Sequence, residues 1–191
     1  MAIRKVLEIG DPKLREVAKE VKKFDIRLHK LLDDMAHTMQ QKEGVGLAAP
    51  QVGILRRVAV IDINDGEGLR ELINPVIMNE EGEQQGQEGC LSVPGRAGLV
   101  TRPQKLTVKA KDRHGKEFKL EAEGFLARAI CHEYDHLNGR LYVDIMDREL
   151  TQEDLERMAT EAKRRVYRRA NTNNKNVDEG DNAVEDETHN E

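Results

Sequence analysis

The clearest chemistry in this chain of 191 residues lies in His132-Glu133-Tyr134-Asp135-His136. On a helix, side chains four positions apart sit about 40° from each other around the axis and about 6 Å apart along it. Both imidazoles then reach one ion, and the glutamate beside the first leans over that ion's water. Chance alone produces this pattern in roughly two per cent of chains of this composition, so it is informative without being sufficient. A pair of helix histidines satisfied by ordinary hydrogen bonds would read the same way. Two imidazoles also leave a catalytic ion one protein ligand short.

Candidates for that third donor are few. Glu156 and Glu161 stand where some zinc peptidases place a downstream acid, but they fall on a helix with a charged outer face. His114 lies in a hairpin turn and His189 near the C-terminus, both in polar surroundings. Cys90, within Glu88-Gly89-Cys90-Leu91-Ser92, is the strongest: flanking glycine lets a loop project a thiolate into a site. The competing reading of a single cysteine is a small core residue.

The elements that must hold these residues are legible in outline. Asp11-Pro12 predicts a helix opening that runs to Val21, and Asp25 caps a second helix ending near Gly44. That helix carries Leu28, Leu31, Leu32, Met35 and Met39 as one buried stripe. Gly44-Val45-Gly46-Leu47-Ala48-Ala49-Pro50-Gln51 reads as a tight helix-to-strand turn; it lacks the Gly-Lys-Ser/Thr ending of a phosphate loop. Strands are predicted over 57–63 and 72–78, the second at a sheet edge because of Pro75. Residues 80–89 read as polar loop, 105–110 and 117–122 as a hairpin, and 141–145 as a short extended piece. The motif helix spans 124–138, and Thr151 caps a last helix with Leu155, Met158, Ala159, Ala162 and Val166 along one face. Helices and strands without regular alternation make the class α+β.

Composition excludes several functions. The net charge of −5 is concentrated at the end, where residues 171–191 hold seven acids and one lysine. Residues 1–170 keep 30 basic and 29 acidic side chains, too balanced for a general nucleic-acid binder. The expected organisation is one domain over 1–170 followed by an acidic disordered tail over 171–191. No apolar run is long enough to span a membrane, and an acid at Glu8 interrupts any secretory signal. A reducing cytoplasm is expected, with Cys90 and Cys131 free of any disulfide partner.

Gly44 to Gln51, Glu88 to Ser92 and His132 to His136 together resemble the three signature motifs of the peptide deformylases, in that family's order. The resemblance covers about residues 1–170 and implies antiparallel sheets packed around the motif helix, with a further helix at the C-terminal end. It implies a metallohydrolase that removes the formyl group from the N-terminal formyl-methionine of nascent polypeptides. Cys90, His132 and His136 would be the metal ligands and Glu133 the general acid/base; the Gln51 amide and the Leu91 backbone N–H would meet the oxyanion. Fe²⁺ would be the native ion, with Zn²⁺, Ni²⁺ or Co²⁺ able to replace it. Val45, Gly46 and Gly89 would pair with the substrate main chain. Phe125 and Ala129, on the ligands' face of the helix, would wall a methionine pocket, or else simply pack the core.

Arg102 is a candidate partner for Glu88 beside the cysteine loop. Asp135 either hydrogen-bonds near the histidines or is an exposed helix aspartate, and Cys131 is expected to pack. Lys163, Arg164, Arg165, Arg168 and Arg169 would suit contact with ribosomal RNA near the exit tunnel, or merely the helix dipole. Two other functions stay open on residues alone: a zinc endopeptidase using Glu156 or Glu161, and a non-catalytic module stabilised by a closed metal site.

Overall fold

A computed structural model of the chain describes residues 2–162 and 164. The chain divides into two units, Met1–Glu149 and Leu150–Glu191. In the first, helix α1 (Ile26–Gln41) precedes seven strands: β1 (Gly46–Ala48), β2 (Val58–Ile61), β3 (Arg70–Glu81), β4 (Gln84–Cys90), β5 (Val93–Arg102), β6 (Lys105–Lys111) and β7 (Glu117–Glu123). Helix α2 (Phe125–Leu137) and the short strand β8 (Arg148–Glu149) complete it. Strands β1-β2-β3-β6-β7 form one sheet and β4-β5-β8 another, in that order, and every pairing is antiparallel. Helix α2 contacts β1, β2 and β7 of the larger sheet and β5 of the smaller, so the α+β class and the central position of the motif helix both hold.

Local signals correctly located α1. The Asp25 carboxylate accepts from the N–H groups of Arg27 and Leu28, and all five residues of the apolar stripe are buried against Leu47, Val58, Val60 and Ile73. The hairpin is also as expected, with Lys105 opposite Glu123 and Lys111 opposite Glu117.

Elsewhere tertiary contacts overrode local preference. Asp11 does cap a turn, but only Pro12–Arg15 is helical, as a 3-10 turn. The following residues are drawn out by partners distant in sequence: Ala18 N–H donates to Leu137 O and Lys19 N–H to Leu55 O. Pro75 lies not on an edge strand but in β3, between β2 and β6, where the register slips between Ile73 and Val76 and no ladder donor is needed. Residues 80–89 are largely strand, the end of β3 and most of β4. Their polar, glycine-rich sequence has little strand preference of its own, and pairing with β5 and β6 supplies it. Tyr142–Asp144 form a 3-10 turn rather than an extended piece.

In the second unit, residues 152–162 are helical. Thr151 Oγ1 accepts from Asp154 N–H while Asp154 Oδ2 accepts from Thr151 N–H, a reciprocal cap. Leu155 and Met158 are half-buried, whereas Ala159 and Ala162 are exposed. The 170/171 boundary, Val166, the acidic tail and, of the basic run, Lys163, Arg165, Arg168 and Arg169 lie outside the described residues. Among the described residues no helix is long and apolar enough to cross a membrane.

Candidate metal centre and active site

Helix α2 presents His132 and His136 on one face, and the turn from β4 to β5 brings Cys90 to them. Cys90 Sγ is 3.2 Å from His136 Nε2, and one donor atom from each of the three residues lies within 4.8 Å of the other two. His132 Nδ1 is engaged by Glu88, which leaves Nε2 as its free donor. A thiolate and two imidazoles are a donor set for a four-coordinate divalent ion. Among the described residues no fourth His, Cys, Asp or Glu joins the group, and the buried Glu133 Oε2 has no hydrogen-bond partner. The residues therefore fit an ion with one position open.

Behind the histidines lies a buried charge network. Glu88 Oε1 accepts from Arg102 Nε at 2.9 Å and Arg128 Nη1 at 2.8 Å. Its Oε2 accepts from Arg102 Nη2 at 3.0 Å and pairs with His132 Nδ1 at 2.9 Å. Arg102 Nη1 also reaches Asp135 Oδ2 at 2.6 Å, so two guanidiniums face two carboxylates. Burial alone would raise Glu88, yet His132 and Arg102 outweigh it and hold its pKa down at about 2. Asp135 is buried and bound to Arg102, one step removed from His132 through Glu88, so the reading of a hydrogen-bonded group near the histidines holds and that of an exposed helix aspartate is corrected. Arg128 was not singled out; an arginine amid Phe125, Leu126, Ala127, Ala129 and Ile130 was the available signal.

Glu133 is buried at the cleft wall, and burial pushes its carboxyl up to about 7. Burial opposes a charge on His132, but Cys90 and Glu88 prevail and raise its pKa; burial lowers that of His136. Cys131 packs in the core with Ala110, Ala122 and Ile130, where burial raises its thiol to about 12.

Gln51 sits in a 3-10 turn, Ala49–Val52, directly after β1. Its Oε1 accepts from Ala48 N–H at 2.8 Å, which fixes the amide so that Nε2 points to Ser92 Oγ (3.1 Å) and Cys90 Sγ (3.4 Å). Gly46 is required by proximity: a Cβ there would lie 2.3 Å from Glu133 Oε1. Val45, Gly46, Gly89, Leu91, Phe125 and Ala129 all line one cleft of about 490 Å³, together with Gln51, Cys90, His132 and Glu133. Phe125 is half exposed at 52%, while Ala129 lines the cleft and also packs in the core.

Residues 3–152 match the family model described as polypeptide deformylase. The chain belongs to that family. A peptide deformylase of Caldicellulosiruptor bescii is 57% identical over 156 residues, covering 82% of this chain and 93% of that one. The peptide deformylase of Legionella pneumophila superposes with a TM-score of 0.74 at 45% identity, over 90% of this chain and 98% of its own. That of Acinetobacter baumannii, solved with Met-Ala-Ser bound, gives 0.71 at 33% identity, over 76% and 99%. This deformylase is accordingly a metal-dependent hydrolase that removes the N-formyl group from nascent peptides.

Proposed function

We propose that Cys90, His132 and His136 hold the catalytic ion of this deformylase, with Glu133 as general acid/base and Gln51 and the Leu91 N–H as oxyanion donors. The observation that carries this reading is the convergence of the three donors beside the partnerless Glu133 Oε2. Held by Cys90, His132 and His136, a divalent ion would supply Lewis-acid polarisation of the formyl carbonyl and would lower the pKa of water towards ~7. Glu133 takes the proton of the attacking water and returns it to the leaving amine. A pKa raised by burial suits a group that must do both. Gln51 Nε2, held by Ala48, already points into the site, and losing one such donor costs about 3 kcal/mol of transition-state stabilisation.

The substrate's main chain has a built slot. Asp62 N–H donates to Val45 O, which makes Gly46–Ile61 a pair without mutual hydrogen bonds. The Gly46 N–H and C=O therefore point off the free edge of β1, while Gly89 lies on β4, the edge strand of the other sheet. An extended peptide between these edges adds as a strand. Val45, its carbonyl already used, contributes its side chain instead. With the formyl group at Cys90, the methionine side chain lies against Phe125 and Ala129. The bound Met-Ala-Ser of the Acinetobacter relative supports a peptide in this cleft.

Fe²⁺ is the proposed native ion, with Zn²⁺, Ni²⁺ or Co²⁺ as substitutes, since the donor set does not select among them. Work on nascent chains implies a cytoplasmic protein. The basic run from Lys163 to Arg169 supports a contact with ribosomal RNA. Pelleting with ribosomes at low salt, for the full chain and a truncation after Ala170, tests that contact; salt-insensitive or absent binding overturns it. The central reading is tested by anaerobic assay of formyl-Met-Ala peptide with metal measured in the same sample. One ion per chain with turnover, both lost in Cys90→Ala, is the expected result. Turnover that survives Cys90→Ala, or a bound ion with no turnover, overturns it.

A further inference from the structure

The His132 ring is held at Nδ1 by Glu88, but a single hydrogen bond leaves the imidazole free to rock about the line through that bond. A second contact restricts it. The Tyr142 ring stacks on His132 with centroids 6.0 Å apart and planes 26° from parallel, within the range of offset aromatic pairs. Tyr142 is 1% exposed, packed with Leu14, Val93, Val100 and Leu141, and Cys90 lies against the same cluster. His132 also meets the His136 ring edge-on, with centroids 5.0 Å apart. Its plane is thus bounded by Tyr142, His136 and Glu88.

Tyr142 is itself fixed from outside the site. It opens the 3-10 turn whose last residue, Asp144, accepts from Leu141 N–H at 2.9 Å and is ion-paired to Arg15. The Tyr142 hydroxyl is buried without a hydrogen-bond partner among the described residues, so the hydroxyl is not what holds the residue in place. Packing of the ring is.

We propose that Tyr142 is a positioning residue of the metal centre: its ring sets the plane of His132, and with it the direction in which Nε2 meets the ion. The proposal rests on the ligand assignment above and concerns the ring, not the hydroxyl. Groups behind a ligand that fix its orientation typically govern metal affinity by about 10–100-fold.

The test uses the full chain loaded anaerobically with Co²⁺. The visible d–d bands and the thiolate-to-metal band are recorded, and the rate of Co²⁺ transfer to a chelator is measured. Tyr142→Leu, which removes the ring, is expected to release Co²⁺ about 10-fold faster and to shift the d–d bands. Tyr142→Phe, which keeps the ring, is expected to match the parent. Should the Leu variant not fold, Tyr142→Met supplies an unbranched, adaptable side chain that can settle into the site without a ring plane, and carries the same expectation. Folded Leu or Met variants with the parent's release rate and spectrum overturn the proposal, as does a Phe variant as impaired as they are. A parent that binds Co²⁺ without a thiolate band would instead overturn the ligand assignment.

Discussion

Glu88 and His132 are joined at 2.9 Å between Oε2 and Nδ1, and this contact links the metal face of α2 to a charge network that includes Arg102, Arg128 and Asp135. The carboxylate would also fix the ring's tautomer with Nε2 available to an ion. Its four contacts use both oxygens, so no rotation of Glu88 keeps them all.

Glu88→Ala should therefore act on stability and on the site together. It leaves buried Arg102 paired only with Asp135 and buried Arg128 with backbone carbonyls alone, a change that costs about 3–5 kcal/mol when one partner of a buried ion pair is removed. Metal affinity should fall by about 10–100-fold. Urea unfolding and chelator competition measure the two effects; parental stability would show the network to be dispensable.

Glu133→Ala should retain one ion per chain, because Glu133 is not among the three converging donors. Its turnover should drop by about 10²–10⁴-fold. Metal analysis and kcat on a formyl-Met peptide, taken from one preparation, separate this from simple metal loss.

Gly46→Ala is a sharper probe of the same carboxylate. The added Cβ would fall 2.3 Å from Glu133 Oε1 and 2.8 Å from its Cδ, so the carboxylate must move. Misplacement by about 1 Å costs about 10²-fold in rate. The variant should bind metal normally and lose kcat; unchanged kcat would mean that Glu133 acts from another position.

Asp34 should make the N-terminal arm acid-sensitive. It accepts from Ala2 N–H at 2.7 Å and Arg4 Nη2 at 3.0 Å, and beyond these the arm bonds Leu7 N–H to Gln51 O and Ile9 N–H to Ser92 O. The Ala2 hydrogen bond, aided by Arg4 and opposed by burial, lowers the Asp34 pKa. A lowered folded value means stability that is complete above the unfolded carboxylate's ~3.9 and lost as pH falls through the folded value. The Tm advantage of the parent over Asp34→Asn should be full above about pH 5 and shrink below about pH 4. A constant difference down to low pH would show that the charge of Asp34 is irrelevant.

What the sequence alone determined is the local chemistry. Helical spacing puts His132 and His136 on one face, Asp25 and Thr151 announce their helices, and the stripe from Leu28 to Met39 is core. Cys90 was legible as the candidate third donor from its glycine-flanked loop and Gln51 as a candidate through the resemblance of its motif, but the distances between them were not. Only tertiary structure decided those, because Cys90 reaches the histidines at the end of a polar, glycine-bearing strand that exists through its pairing with β5. The same holds for what steadies the site. Arg128, Asp135 and Tyr142 have ordinary local sequence contexts, and their roles arise from burying charge and ring against residues far away in the chain. Helix periodicity is a property of neighbours, whereas desolvated ion pairs and stacked rings depend on which segments the fold brings together.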